Sequence, residues 1–281
     1  MKNIINFKQM KQKGESIAWI TAYDYHTAMA AEKADVDMIL VGDSGGMCLL
    51  GYSTTNPVTM DEMIMMTRAV RRGAPNTFIV GDMPQGSYEV SDELAVQNAM
   101  RFVKEAGVNA IKLEGGRRVA PRVQAIADAG ILVIGHLGLT PQSSDSFGGY
   151  KVQGRGEEAE AIVKESKDLF NAGISMLLIE AVPEDTGRKI AQEMLIPVMG
   201  IGAGSLVDGQ LLISHDLLGI YQNFRPKFAK CYIPHCLKVS KTRNRERWQD
   251  DGLFYLMVES FKLYVEEVRN KLFPASEHIY Q

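Results

Sequence analysis

Cysteine is scarce in this sequence, with three residues among 281, at positions 48, 231 and 236. A small, odd number of cysteines in a chain of this size is not the disulfide framework of a small secreted domain, so we expect a reducing compartment. Cys231, His235 and Cys236 are close in sequence, but adjacent His and Cys side chains fit a tetrahedral site poorly and a fourth ligand is not evident. The sequence therefore does not indicate a zinc site.

An excess of positive charge is also missing. The formal net charge is −3, so the chain has no global positive field to attract nucleic acid or an anionic membrane. No uncharged apolar stretch reaches membrane-spanning length, and Lys8, Lys11 and Lys13 interrupt the N-terminal region where a secretory signal would be apolar. We expect a cytoplasmic protein that acts on small molecules, without nucleic acid or membrane as a partner.

What the sequence does contain is a regular alternation of short β-rich apolar runs with stretches of helical periodicity, which is typical of a parallel sheet. Predicted helices include 60–72, 91–106 with Ser91 as N-cap, and 157–172. Eight strand–helix units in 281 residues allow an open sheet or a barrel, and the strand count favours one (β/α)8 TIM barrel that spans the chain as a single domain. The predicted strands are 17–23, 38–42, 77–81, 110–113, 131–135, 176–179, 197–202 and 210–214.

Polar residues close these predicted strands one after another. In a (β/α)8 barrel the chemistry lies at the C-terminal ends of the strands, so we expect such side chains to meet at one mouth. A single acid at a strand end is as often a helix cap or a loop ion pair, but a regular series favours a shared site. The series is Asp24, Asp43, Asp82, Glu114, His136, Glu180 and, after a glycine turn at 200–204, the pair His215 and Asp216.

Three of these acids, Asp43, Asp82 and Glu114, supply hard oxygen ligands suited to Mg²⁺ or a similar divalent ion. A 2-oxo acid can chelate such an ion, which then stabilises the enolate formed when a proton leaves the adjacent carbon. Lys112 lies two residues before Glu114, so both side chains point to the same side of a strand. Lys112 and Ser44 are candidate contacts for the substrate.

Glu180 ends an apolar run, and partial desolvation there makes a carboxylate a better base. We therefore take Glu180 as the candidate general base. His136 is either a donor to the substrate or a side chain that satisfies a loop carbonyl, and the residues alone leave both readings open.

The last fifth of the chain has a different character. Basic residues between Lys238 and Arg247 show no apolar periodicity, which predicts a solvated basic loop at about 232–249, without an assigned role. After it, apolar residues repeat at intervals of three and four, which predicts an amphipathic C-terminal helix at about 251–272.

Several ordered motifs resemble those of the ketopantoate hydroxymethyltransferase family over roughly residues 7–230. A short motif such as Val-Gly-Asp-Ser is weak by itself, whereas the ordered set is specific. The motifs are Val41-Gly-Asp-Ser44, Lys112-Leu-Glu-Gly-Gly116, Gly135-His-Leu-Gly-Leu-Thr-Pro-Gln142, Gly148-Gly-Tyr-Lys-Val-Gln-Gly-Arg155 and Gly200-Ile-Gly-Ala-Gly204.

The resemblance implies a (β/α)8 barrel of the phosphoenolpyruvate/pyruvate-binding type and a homo-oligomer, often a decamer. It also implies the first committed step of pantothenate synthesis, upstream of coenzyme A. By position, Asp43, Asp82 and Glu114 correspond to the metal site. Asp43, Ser44, Asp82 and Lys112 correspond to contacts with 3-methyl-2-oxobutanoate.

The resemblance further implies that Glu180 is the proton acceptor and that 5,10-methylenetetrahydrofolate donates the one-carbon unit. The donor follows from the resemblance alone, because no spacing in the sequence indicates folate. Four residues near the site depart from the family pattern, and we expect them to weaken rather than abolish activity. They are Gly45 for Leu, Met66 for His, Gln85 for an apolar or aromatic residue, and Ala181 for Cys.

Two other functions remain open at this stage. One is a lyase of the same barrel type that cleaves an oxo acid through the same metal-bound enolate. The other is a non-catalytic scaffold barrel, against which the intact Asp43, Asp82, Glu114 and Glu180 argue. Substrate assays separate the first from a transferase.

Overall fold

The computed structural model describes residues 1–243 and 247–281. Within them, eight parallel strands pair in chain order and close into a barrel, as the sequence predicts. Nearly every strand residue is buried, because helices cover the outside of the sheet and side chains fill its interior. The strands are β1 Ile17–Thr21, β2 Met38–Val41, β3 Phe78–Asp82, β4 Ala110–Glu114, β5 Val133–Gly138, β6 Met176–Glu180, β7 Val198–Ile201 and β8 Gly209–Leu212.

The predicted helices are present with small shifts of their ends. Ser91 caps the second of them, where its hydroxyl accepts a hydrogen bond from the backbone N–H of Leu94, and a single π-helical turn, Phe102–Ala106, continues that helix. The α-helices are α1 Ile4–Lys13, α2 Tyr25–Lys33, α3 Gly45–Cys48, α4 Met60–Gly73, α5 Asp92–Arg101, α6 Ala120–Asp128, α7 Glu158–Asn171, α8 Glu184–Glu193, α9 Ser214–Leu217, α10 Ile233–Arg243 and α11 Arg247–Arg269.

The strand register places the polar strand-end residues side by side. Asp82 on β3 pairs with Lys112 on β4, and Glu114 on β4 pairs with His136 on β5. Cross-strand partners are the nearest neighbours of a strand residue, so the register itself brings these acids and bases together.

The predicted loop at 232–249 is wrong at both ends, because residues Ile233–Arg243 form helix α10 and helix α11 already begins at Arg247. Ile233 packs on the core and Cys236 is buried. The many basic residues concealed these two apolar anchors in the sequence. Arg245 of the predicted basic segment lies outside the described residues, as do the side chains of Lys241, Arg243 and Arg247.

The C-terminal helix α11 includes a non-helical Gly252 near its start, with φ of 57°. Beyond it, one apolar face packs against the barrel, as the sequence pattern predicts. The buried hydroxyl of Tyr264 donates hydrogen bonds to the carbonyl oxygens of Trp19 on β1 and Gln210 on β8, over 3.0 and 2.7 Å. The buried residues of this face are Val258, Phe261, Tyr264, Val265 and Val268.

In the described parts of the chain, 1–243 and 247–281, none of the helices has both the length and the apolar composition that a membrane crossing requires.

Candidate active site

A cavity of about 360 Å³ opens at the C-terminal ends of the barrel strands. The structure brings the seven residues predicted for metal, substrate and base into it, from the loop after β2 and from strands β3, β4, β5 and β6. Asp24 does not join them, because its carboxylate caps helix α2 by accepting from the backbone N–H groups of His26 and Thr27. The cavity is lined by Asp43, Ser44, Asp82, Lys112, Glu114, His136 and Glu180.

Lys112 lies at the centre of the acids. Its Nζ is 2.8 Å from Asp82 Oδ1 and 3.3 Å from Glu114 Oε1, and all three side chains are buried. Burial opposes the charged form of the lysine, but Asp82 and Glu114 outweigh burial and raise the pKa of Lys112 above its ordinary value. Lys112 is therefore a permanent positive charge at the barrel mouth, as an anchor for a substrate carboxylate requires.

The acids themselves have divergent pKa values. Burial raises the pKa of Asp43, and the charges of Asp82 and Glu114 raise it further. Burial also raises the pKa of Asp82, although Lys112 acts against it. For Glu114, burial acts upward, yet Lys112 and His136 together lower its pKa to about 2. Glu114 therefore stays ionised. Asp43 and Asp82 repel each other when both are ionised, so a bound cation would stabilise the pair.

His136 connects two carboxylates in this cluster. Its Nδ1 is 3.2 Å from Glu114 Oε1 and its Nε2 is 3.3 Å from Glu180 Oε2. Burial and Lys112 act to lower the pKa of His136, but the hydrogen bonds with Glu114 and Glu180 raise it overall. The imidazole therefore contacts two side-chain acids of the cavity, and neither of the two roles left open by the sequence describes this contact.

Glu180 has the environment of a general base. Burial raises the pKa of its carboxyl group, and His136 partly offsets that rise. A carboxylate with a raised pKa binds a proton more readily than an exposed one, and this one faces the same cavity as Lys112 and Asp82.

The described residues 1–243 and 247–281 contain no group of three Asp, Glu, His or Cys side chains arranged to hold a metal ion. Glu114 has protein partners on both oxygens: its Oε1 is beside Lys112 and His136, and its Oε2 accepts from the backbone N–H of Gln142. Asp43 and Asp82 still fit Mg²⁺, which typically uses one or two carboxylates with water and substrate oxygens. The three-ligand site predicted for Asp43, Asp82 and Glu114 stays a prediction.

The departures Gly45 and Met66 adjoin each other. A Cβ on Gly45 would lie 2.8 Å from the sulfur of Met66 and 2.8 Å from Cδ1 of Tyr23, so Met66 and Tyr23 fill the space where a side chain at position 45 would begin. Tyr23 in turn contacts Ser44, with its hydroxyl 2.8 Å from Ser44 Oγ. The segment that holds Asp43 is therefore closely packed.

Sequence reasoning missed two buried residues that organise the site, Gln142 and Tyr88. Gln142 Nε2 donates to Asp43 Oδ2 over 2.9 Å, and the hydroxyl of Tyr88 donates to Gln142 Oε1 over 2.6 Å. Gln142 is the last residue of the Gly-His-Leu-Gly-Leu-Thr-Pro-Gln motif, and this motif is the sequence feature from which its role could have been predicted. Nothing in the sequence around Tyr88 distinguishes it from a core tyrosine.

This barrel, with its cavity of neighbouring buried acids and a buried lysine, defines a (β/α)8-barrel enzyme. The chain is similar in structure to phosphonopyruvate hydrolase, with a TM-score of 0.62 and 13% identity over 92% of this chain and 95% of that one. It is also similar to 2,3-dimethylmalate lyase of the PEP mutase/isocitrate lyase superfamily, with a TM-score of 0.58 and 15% identity over 90% of each chain. At identities this low, the two similarities show the fold alone, which is the predicted (β/α)8 barrel.

Sequence comparison gives the family. The family model described as ketopantoate hydroxymethyltransferase matches residues 1–276. The 3-methyl-2-oxobutanoate hydroxymethyltransferase of Alkaliphilus metalliredigens is 50% identical over 99% of this chain and 93% of the relative. The protein of the same name from Geobacillus kaustophilus is 48% identical over 100% and 94%. The chain belongs to the ketopantoate hydroxymethyltransferase family and is a transferase enzyme.

Proposed function

We propose that this enzyme transfers a hydroxymethyl group from 5,10-methylenetetrahydrofolate to 3-methyl-2-oxobutanoate, giving ketopantoate for pantothenate synthesis in the cytoplasm. Its relatives named 3-methyl-2-oxobutanoate hydroxymethyltransferase support the acceptor. The observation on which the proposal mainly rests is the placement of Glu180, a half-buried carboxylate with a raised pKa in the same cavity as Asp43, Asp82 and Lys112.

The proposal places a divalent ion such as Mg²⁺ at Asp43 and Asp82, with Glu114 as nearby negative charge. When bound, such an ion supplies a Lewis acid that stabilises negative charge developing on the keto oxygen of a 2-oxo acid. A solved neighbour, phosphonopyruvate hydrolase, is described in complex with oxalate and Mg²⁺. In this chain, the ion is supported by the carboxylate oxygens of Asp43 and Asp82, which are suitable ligands for Mg²⁺.

The side chains of the cavity then have distinct tasks. Lys112 and Ser44 bind and orient the oxo acid, and His136 positions Glu180 through the 3.3 Å contact between their side chains. Glu180 removes the proton from C3, the electron pair of that C–H bond forms the C2–C3 double bond, and the π pair of the C2=O bond moves to the keto oxygen. C3 then bonds to the methylene carbon of the donor as the keto group re-forms and the bond from that carbon to N10 breaks, and N10 receives the proton held by Glu180. The hydroxyl of a water molecule then replaces N5 on the same carbon, the remaining proton of the water goes to N5, and tetrahydrofolate leaves.

The proposal includes self-association into a homodecamer, which the family resemblance supports. Large apolar side chains on the surface are consistent with buried contacts between copies, among them Leu195, which is 80% exposed, and Val90, which is 72% exposed. Light scattering on the purified chain measures the subunit number directly, and a monomer at micromolar concentration would contradict this part.

The central test follows the exchange of the C3 proton of 3-methyl-2-oxobutanoate with deuterated water by NMR, with and without the folate donor. We expect exchange that a chelator abolishes and ketopantoate when the donor is present. Glu180→Gln should stop exchange while the oxo acid still binds, since Gln keeps the shape but not the base.

The outcomes separate the alternatives. Exchange without ketopantoate would contradict the transfer reaction and favour an oxo-acid lyase, which a cleavage assay then checks. Absence of exchange in the wild-type protein would favour a scaffold. An unchanged rate of C3 proton exchange in Glu180→Gln would show that Glu180 is not the base.

A further inference from the structure

The cavity contains two buried polar side chains that the reaction above does not use, Asp216 and Thr55. Asp216 lies on the short helix α9, immediately after β8, and is 4% exposed; Thr55 is 2% exposed. Asp216 Oδ1 and Thr55 Oγ1 have no hydrogen-bond partner among the described residues. Because buried polar atoms are nearly always satisfied, two such atoms in one cavity indicate a ligand that supplies their partners.

The carboxyl group of Asp216 needs hydrogen-bond donors. Burial raises its pKa to about 6, and the positive charge of Arg225 acts in the opposite direction. Most of this group is therefore ionised at neutral pH, and an ionised oxygen buried without a donor is costly. The thiol of Cys48, whose pKa burial and Asp216 raise to about 12, stays neutral beside it and offers only a weak donor.

The part of the cavity contributed by the chain after α9 is aromatic. Tyr221, Phe224 and Phe228 line it, and Phe224 is 61% exposed. Aromatic faces of this kind bind flat rings. The cavity volume of about 360 Å³ lies within the range of roughly 300–1,000 Å³ typical of pockets for ligands much larger than a five-carbon acid.

We propose that Asp216 binds the heterocycle of the one-carbon donor by accepting hydrogen bonds from the N3–H and 2-amino groups of a reduced pterin. This inference rests on the proposed folate donor. The adjacent N–H groups of a pterin match the two oxygens of a carboxylate. The oxo acid has no N–H group, so it cannot satisfy Asp216. Thr55 adds a hydroxyl that can donate or accept at the ring.

The test measures tetrahydrofolate binding by calorimetry and the KM values for donor and oxo acid. Asp216→Asn keeps the shape but turns one acceptor into a donor, so we expect about a tenfold or greater loss of affinity for tetrahydrofolate. The ratio of donor KM to oxo-acid KM should rise by about the same factor. Asp185→Asn, whose side chain is 88% exposed, is the matched control and should behave as wild type.

A second measurement uses the wild-type protein, so it does not depend on the folding of a variant. A tetrahydrofolate analogue with a methyl group in place of the 2-amino group should bind about tenfold more weakly. Asp216→Asn should add little to that loss, because the two changes remove the same contact.

Three results would overturn the inference. The first is an Asp216→Asn protein that binds tetrahydrofolate as wild type does, and the second is an equal loss of affinity for the oxo acid and the folate. The third is a wild-type protein that binds the analogue and tetrahydrofolate equally well. If the wild-type protein bound no tetrahydrofolate at all, the proposed donor would itself be wrong, which distinguishes failure of the function from failure of Asp216.

Discussion

The side-chain amide of Gln142, in the loop after β5, donates a hydrogen bond of 2.9 Å to Asp43, in the loop after β2. The two residues are 99 positions apart. The backbone N–H of Gln142 also donates to Glu114 Oε2 over 3.1 Å. Gln142 therefore fixes two acids of the cavity at once, and it is buried, so water does not replace its bonds.

Replacing Gln142 by Ala should misplace Asp43 and leave the Tyr88 hydroxyl without its acceptor. We expect Mg²⁺-dependent binding of 3-methyl-2-oxobutanoate to weaken by about tenfold and stability to fall by about 1–3 kcal/mol. Calorimetry and urea unfolding measure the two effects. Gln97→Ala, at an exposed glutamine on helix α5, is the control; equal effects from both variants would contradict the role of Gln142.

In the acidic limb of the pH profile, the rate of C3 proton exchange should rise with pH, because Glu180 accepts a proton only as a carboxylate. Burial raises the pKa of Glu180, and the hydrogen bond and charge of His136 lower it. Removing the imidazole in His136→Gln therefore raises this pKa further and moves the acid limb of the profile to higher pH. The pH profile of exchange in deuterated water tests the shift.

The exposed His26 provides the matched control for that experiment. His26→Gln should leave the acid limb where it is in wild type. An acid limb that stays in place or moves to lower pH in His136→Gln would contradict the assignment of Glu180 as the titrating base.

A divalent ion should stabilise the folded protein, because Asp43 and Asp82 are buried acids with raised pKa values. Mg²⁺ at about a hundred times its Kd adds about 2.7 kcal/mol to the free energy of unfolding. The gain should shrink in Asp82→Asn. It should also shrink at lower pH, since protonation of these raised-pKa carboxyls competes with the ion.

Thermal unfolding in Mg²⁺ against chelator, at two pH values, measures this gain without reference to activity. Asp185→Asn keeps the full gain if the ion binds in the cavity. A gain in Asp82→Asn equal to that of wild type would place the ion elsewhere.

The contact between α11 and the barrel includes the hydroxyl of Tyr264, which donates to the carbonyl oxygens of Trp19 and Gln210. Tyr264→Phe should reduce the free energy of unfolding by about 1–2 kcal/mol, because two buried carbonyl groups lose a donor. Tyr25→Phe, on a side chain that is 41% exposed, is the control in urea unfolding. Equal midpoints for the two variants would show that this contact does not stabilise the fold.

The eight strands could be predicted from the sequence because their signal is local. Short β-rich runs between stretches of helical periodicity determine which residues enter a parallel barrel, and the barrel determines that strand-end residues share one mouth. Asp43, Asp82, Lys112, Glu114, His136 and Glu180 were found in this way and lie together.

Other features depended on contacts between distant parts of the chain. Asp24 and Asp43 both follow a strand, yet Asp24 caps a helix because α2 begins at the next residue. Helix α10 forms over a segment predicted to be a loop, because its apolar residues Ile233 and Cys236 find a core to pack against.

The sequence by itself determined the barrel, the family and the identity of the acids, since these follow from local periodicity and ordered motifs. Tertiary structure alone decided which acids pair with Lys112, how Gln142 holds Asp43, and that buried oxygens of Asp216 and Thr55 in the cavity lack a partner among the described residues. The physical reason is that strand register and loop packing set distances of about 3 Å between residues far apart in the chain, and hydrogen bonds and ion pairs depend on those distances.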